Sequence, residues 1–118
     1  MDQTSEELNE ENREVILRMA RGGDDLSKSR DIDFSVVFPN ESSAQEFASQ
    51  LREIGYRATV NRSDVDSDLP WDATVVRHML PQCEAITGFE LLLQARASPF
   101  GGRNDGWGCF EQKRSDPH

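Results

Sequence analysis

The stretch Ile32-Asp33-Phe34-Ser35-Val36-Val37-Phe38-Pro39, with the turn and helix period that follow it, decides the fold. Ile32, Phe34, Val36 and Phe38 fall on alternate positions, the period of a strand with one apolar face. Pro39-Asn40 ends that strand, and Ser42 or Ser43 is placed to cap what comes next. Ala44, Phe47, Ala48, Leu51 and Ile54 then recur at i, i+3, i+4 and i+7, which predicts a helix that stops at Gly55. Tyr56, Ala58 and Val60 alternate against Arg57 and Thr59, so a second strand begins at once.

Downstream, residues 61–70 form a loop containing Asp64, Asp66 and Asp68, with Pro70 before the next apolar run. Trp71 to Leu80 is β-prone through Thr74, Val75 and Val76, and Pro81 closes it. Ala85, Ile86, Phe89, Leu92, Leu93 and Ala97 mark another helix, which Gly88 weakens by roughly 1 kcal/mol relative to alanine. Ser98 to Gly102 breaks it, Asn104 to Glu111 reads as a final strand, and the polar tail 112–118 is expected to be disordered.

Upstream, residues 4–21 carry helix signals. Thr4 and Glu7 have capping-box spacing, and Leu8, Val15, Ile16 and Met19 share one side. Glu6, Glu7, Glu10 and Glu11 lead while Arg18 and Arg21 trail, both complementing the helix dipole, and Gly22-Gly23 supplies the stop. The apolar stripe is thin, so this helix is expected to dock only partly on the domain or to rest on a partner.

The order is therefore a helix followed by β-α-β-β-α-β. That series predicts an α+β, ferredoxin-like split unit: a four-stranded antiparallel sheet with two helices on one face, plus the extra N-terminal helix. The expected division is an acidic helix and linker over 1–30, the ferredoxin-like domain over 31–111, and the tail over 112–118.

Across 118 residues, 13 Lys plus Arg stand against 22 Asp plus Glu, a net charge of −9. A chain of this length buries roughly two-thirds of its unfolded surface, enough for one core without a metal or disulfide. The charge argues against the phosphate backbone as main partner, because non-specific nucleic-acid affinity comes from Lys and Arg displacing counterions. Cys83 and Cys109 are too few and too far apart for a disulfide framework or zinc site and read as reduced thiols. The acidic start does not resemble a signal peptide, and no run approaches the ~18 apolar residues of a membrane span. The expectation is a soluble, cytoplasmic protein with no cofactor and no membrane association.

Catalytic patterns are sparse. His78 lies within a strand with no Ser or Cys nucleophile evident beside it, so no catalytic residue is assigned. The acids Asp64, Asp66, Asp68 and Asp72 lack the central Gly and terminal Glu of an EF-hand loop, and no metal ligand is assigned among them. No strand carries the basic, glycine and aromatic run with which related sheets bind single-stranded RNA. The distinctive segment is Asn104-Asp105-Gly106-Trp107-Gly108-Cys109-Phe110-Glu111. Glycines on both sides of a tryptophan either make room for a bulge while Trp107 packs inward, or frame an aromatic anchor at an interface.

Asp105-Gly106-Trp107-Gly108, the Asp33-to-Pro39 segment, the Gly55-Tyr56 helix exit and the Trp71 strand ending at Met79-Leu80-Pro81 together resemble the regulator of ribonuclease activity B family. The resemblance covers residues 30–111, and the helix at 4–21 also has a counterpart in that family. It implies a ferredoxin-like fold and a non-enzymatic inhibitor that binds ribonuclease E and alters its cutting of RNA. The partner is then ribonuclease E or another basic RNA-processing protein, met by a monomer or weak dimer that does not itself hold nucleic acid. Asp64, Asp66, Asp68 and Asp72, followed by Glu6, Glu7, Glu10 and Glu11, are the acids expected to meet it, with Trp107 as anchor. The alternative is a small oligomeric or ligand-sensing module whose open sheet face presents Phe34, Trp71, Val75 and Trp107 to a second copy or a ligand.

Overall fold

The computed structural model describes residues 4–63 and 67–112. Its elements are α1 (Ser5–Arg21), β1 (Arg30–Phe38), α2 (Glu41–Glu53), β2 (Arg57–Arg62), β3 (Trp71–Met79), α3 (Cys83–Ala97), a 3-10 turn (Ser98–Phe100) and β4 (Arg103–Cys109). The four strands lie in the order β2-β3-β1-β4, and every neighbouring pair is antiparallel. This is the arrangement expected of a split β-α-β-β-α-β unit, since each helix crosses over a strand inserted from the other half.

The strand period fixes which face is covered. Ile32, Phe34, Val36 and Phe38 are fully buried, and register aligns Phe34 with Val75 of β3 and Trp107 of β4. Helices α2 and α3 close this face through Ala44, Phe47, Ala48 and Leu51 from one and Ile86, Phe89 and Leu93 from the other. Phe34 meets Phe89 edge-on with centroids 4.7 Å apart, and Phe38 meets Phe47 at 5.0 Å. Burying each such ring contributes about 2 to 3 kcal/mol. Gly102 belongs to the same packing: a Cβ there would stand 2.4 Å from the Phe38 ring.

Several local expectations change. Helix α2 is capped by Asn40, whose Oδ1 accepts from the Ser43 amide at 2.9 Å, rather than by Ser42 or Ser43. Ile54 falls at the C-cap, past the last helical residue, and is exposed. In α3, Leu92 is exposed while Thr87 and Glu90 are buried, because α1 packs on that side. Strand β1 begins at Arg30, whose guanidinium is buried against Asp24 at 2.8 Å. Strand β4 ends at Cys109, leaving Phe110 87% exposed. Gln112, assigned to the tail, is tied to the fold by exchanging backbone and side-chain bonds with Asp25 and Asp24; the rest of that tail lies outside the described residues.

Candidate partner-binding surface

Trp107 owes its position to a bulge. Pairing of β4 with β1 shifts register at Ser35/Val36, and Gly106 takes a φ of +106°, which side chains other than glycine rarely adopt. The indole then lies on the helix-covered face, half-buried against the core. Its Nε1 donates to Asn12 Oδ1 at 2.8 Å. Of the two readings of the glycine-flanked tryptophan, inward packing beside a bulge describes the geometry, and the element the indole holds is this chain's own α1.

Asn12 is the hub of that contact. Its Nδ2 donates to Thr87 Oγ1 at 2.9 Å and to Glu90 Oε1 at 2.8 Å. The second Glu90 oxygen accepts from Asn104 Nδ2 at 2.8 Å. Asn9 extends the seam, accepting from Thr87 Oγ1 and from the Cys83 thiol. Glu90 is 1% exposed, and burial pushes its carboxyl above the ordinary range despite the bonds from Asn104 and Asn12, with the Glu11 charge adding to the rise. These residues were passed over in the sequence. The available signal was spacing: Asn12 falls midway between Leu8 and Ile16 on one helical face, and Glu90 interrupts the stripe Ile86, Leu93, Ala97.

Between α1 and β4 two cavities meet at Val15 and Trp107. One, about 350 Å³, is mostly apolar and walled by Val15, Met19, Trp107 and Cys109, with Arg18 and Glu111 at its rim. The other, about 330 Å³, is polar and lined by Glu11, Asn12, Glu90, Asn104 and Asp105, with no described cation. Together they form a groove that is apolar at one end and acidic at the other.

The predicted acids separate. Asp64 and Asp66 lie outside the described residues, and Asp68 is exposed in the loop. Asp72 sits in β3, on the sheet face away from the helices, where it accepts from Thr74 Oγ1 at 3.2 Å. Burial raises its carboxyl, against pulls from Thr74 and Ser35 and with help from Asp105. Glu6, Glu7, Glu10 and Glu11 are exposed on α1 and, with Glu14, enter no salt bridge with a described residue. Of the family motif, Asp105 and Gly108 are exposed; Asp105 is the residue the β1 pairing skips, and Gly106 beside it takes the positive φ.

The open sheet face carries a small charged cluster. Asp31 bonds Arg57 at 2.8 Å and the His78 ring at 3.0 Å, and Arg57 first, then His78, hold its carboxyl below the usual range. Among the described residues the hydrogen bonds of Asp31 run to Arg57 and His78, and none joins it to a hydroxyl or thiol. Phe34 and Val75 are fully buried beneath the helices. The open face therefore does not present them, and the pocket or dimer surface expected from Phe34, Trp71, Val75 and Trp107 is not formed. Cys83 and Cys109 are free thiols. No helix among the described residues is long and apolar enough to cross a membrane.

Residues 9–109 fit the family model described as regulator of ribonuclease activity B, a span that begins at Asn9 of the α1 seam and ends with β4. No curated protein matches the sequence.

Proposed function

Because the chain belongs to the regulator of ribonuclease activity B family, whose members regulate ribonucleases and are not themselves enzymes, we propose that it binds ribonuclease E and slows its cleavage of RNA. The observation that carries this reading is the family match across nearly the whole fold. The charge supports it: a net −9, with the carboxylates of Glu6, Glu7, Glu10, Glu11 and Glu14 turned to solvent along one helix, suits a basic, Arg-rich partner segment that would otherwise hold RNA. Complementary fields of this kind raise the encounter rate and choose the partner more than they add affinity. The loop acids Asp64, Asp66 and Asp68, with Asp72, belong to the same proposed docking field. Inhibition then means occupying the ribonuclease's own RNA-gathering segment, with no bond made or broken by this chain. It acts in the cytoplasm as a monomer or weak dimer.

The test is a cleavage assay in which this protein is titrated against ribonuclease E with and without the enzyme's non-catalytic C-terminal region. Slower cleavage by the full-length enzyme alone is expected. No effect on either form would remove ribonuclease E as the partner. Changing Asp64, Asp66, Asp68 and Asp72 together to Asn is expected to lower affinity and flatten its salt dependence; an unchanged affinity and slope would take the loop out of the interface.

A further inference from the structure

Resting on that reading, we infer that the groove between α1 and β4 is the seat of the partner, and that it receives an extended segment which adds to the β4 edge and alternates basic with apolar side chains. Strand β4 is hydrogen-bonded to β1 and is the last strand of the sheet on that side. An edge strand offers unpaired backbone groups to another chain. Toward its start this edge is already used, since the Asn104 amide donates to Gln94 Oε1 at 2.8 Å and the Gly106 amide to Asn104 Oδ1 at 3.4 Å, so the added strand pairs along Trp107–Cys109.

The side-chain preference follows from geometry. In an added strand alternate residues face the same side, so those turned toward the helix layer enter the groove with α1 as its far wall, about 7 Å apart. Trp107 and Val15 stand where the two halves meet. One such side chain reaches the acidic half, where Glu11, Glu90 and Asp105 face no described cation. The next reaches the apolar half against Trp107, Met19 and Cys109. An Arg or Lys suits the first: its charge compensates the buried Glu90 carboxylate, whose present partners are the neutral amides of Asn12 and Asn104. An aliphatic side chain suits the second.

The probe is a blocked decapeptide alternating arginine and valine, titrated into the isotopically labelled full chain by amide NMR, with a glutamate–valine peptide as control. Shifts are expected at residues 106–109 and at Asn12 and Val15, saturating for the arginine peptide and absent for the control. The surface variant Glu11→Gln/Asp105→Asn is expected to weaken binding roughly tenfold, the scale of losing charge-assisted contacts. Val15→Trp, which fills the junction of the two halves, is expected to abolish it while the rest of the spectrum stays folded. Shifts confined to the outer face of α1 or to the open sheet face, or no shifts at millimolar peptide, would overturn the inference. So would β4 shifts that grow with protein concentration alone, since a second copy would then occupy the edge. The same variants are measured against ribonuclease E. Wild-type binding that neither variant alters sinks the groove and leaves the proposed function standing. Peptide binding at the groove with no ribonuclease binding sinks the proposed function and leaves the groove.

Discussion

Asn12 joins three partners at one seam: the Trp107 indole, Thr87 and one oxygen of Glu90. Removing it leaves a buried carboxylate oxygen and an indole N–H unmet, so Asn12→Ala is expected to cost about 2 to 3 kcal/mol, read as a lower urea midpoint. Two buried acids titrate with opposite sign. Asp24 is held below the ordinary carboxylate range, first by its hydrogen bond from Arg30. Its contribution is present above the unfolded value of about 4 and is lost as pH falls through the lower folded one. Asp24→Asn is accordingly expected to cost about 3 kcal/mol at neutral pH, by stranding a buried guanidinium, and the gap from wild type should narrow in denaturation curves below about pH 4. Glu90 is raised by burial, so its carboxylate disfavours the fold once pH has climbed past that raised value. Denaturation at about pH 4 and pH 7 should show Glu90→Gln gaining on wild type as pH rises.

At the scale of elements, period and punctuation were enough to locate each helix and strand, while caps and exposed flanks were decided by neighbours. Three polar residues, Asn40, Ser42 and Ser43, stood where α2 could begin, and propensity treats them alike. The chain leaves β1 extended through Asn40, which puts its side chain over the free amide of Ser43. Asn40→Ala should therefore lower stability by about 1 kcal/mol in thermal unfolding, and Ser42→Ala by less than about 0.5 kcal/mol. Helix α1 shows the same limit. Its thin apolar stripe was readable, but docking depends on Leu8 together with a polar residue, Asn12, and a polar residue earns burial only when partners from α3 and β4 arrive. Leu92 illustrates the converse, since an apolar residue on a helix already packed on two sides is left facing water.

For the whole molecule the governing quantity is charge. At −9 it should associate with a basic partner at a rate that falls steeply with salt. Raising ionic strength from about 0.01 M to about 0.1 M shortens the screening length from roughly 30 Å to 10 Å, and stopped-flow association with ribonuclease E is expected to slow roughly tenfold, with dissociation little changed. A rate indifferent to salt would contradict an electrostatically steered encounter. The sequence by itself determined the order of elements, the covered face of β1, the acidic balance and the glycine-flanked tryptophan, because backbone period, turn chemistry and net charge are properties of residues and their near neighbours. Only the tertiary structure decided that Asn40 rather than Ser42 or Ser43 caps α2, that Leu92 faces water, and that Asn12, Glu90, Asn104 and Trp107 share one seam. Those four residues lie on three elements, and a buried polar residue reads as ordinary surface until the fold brings its partner from the far end of the chain.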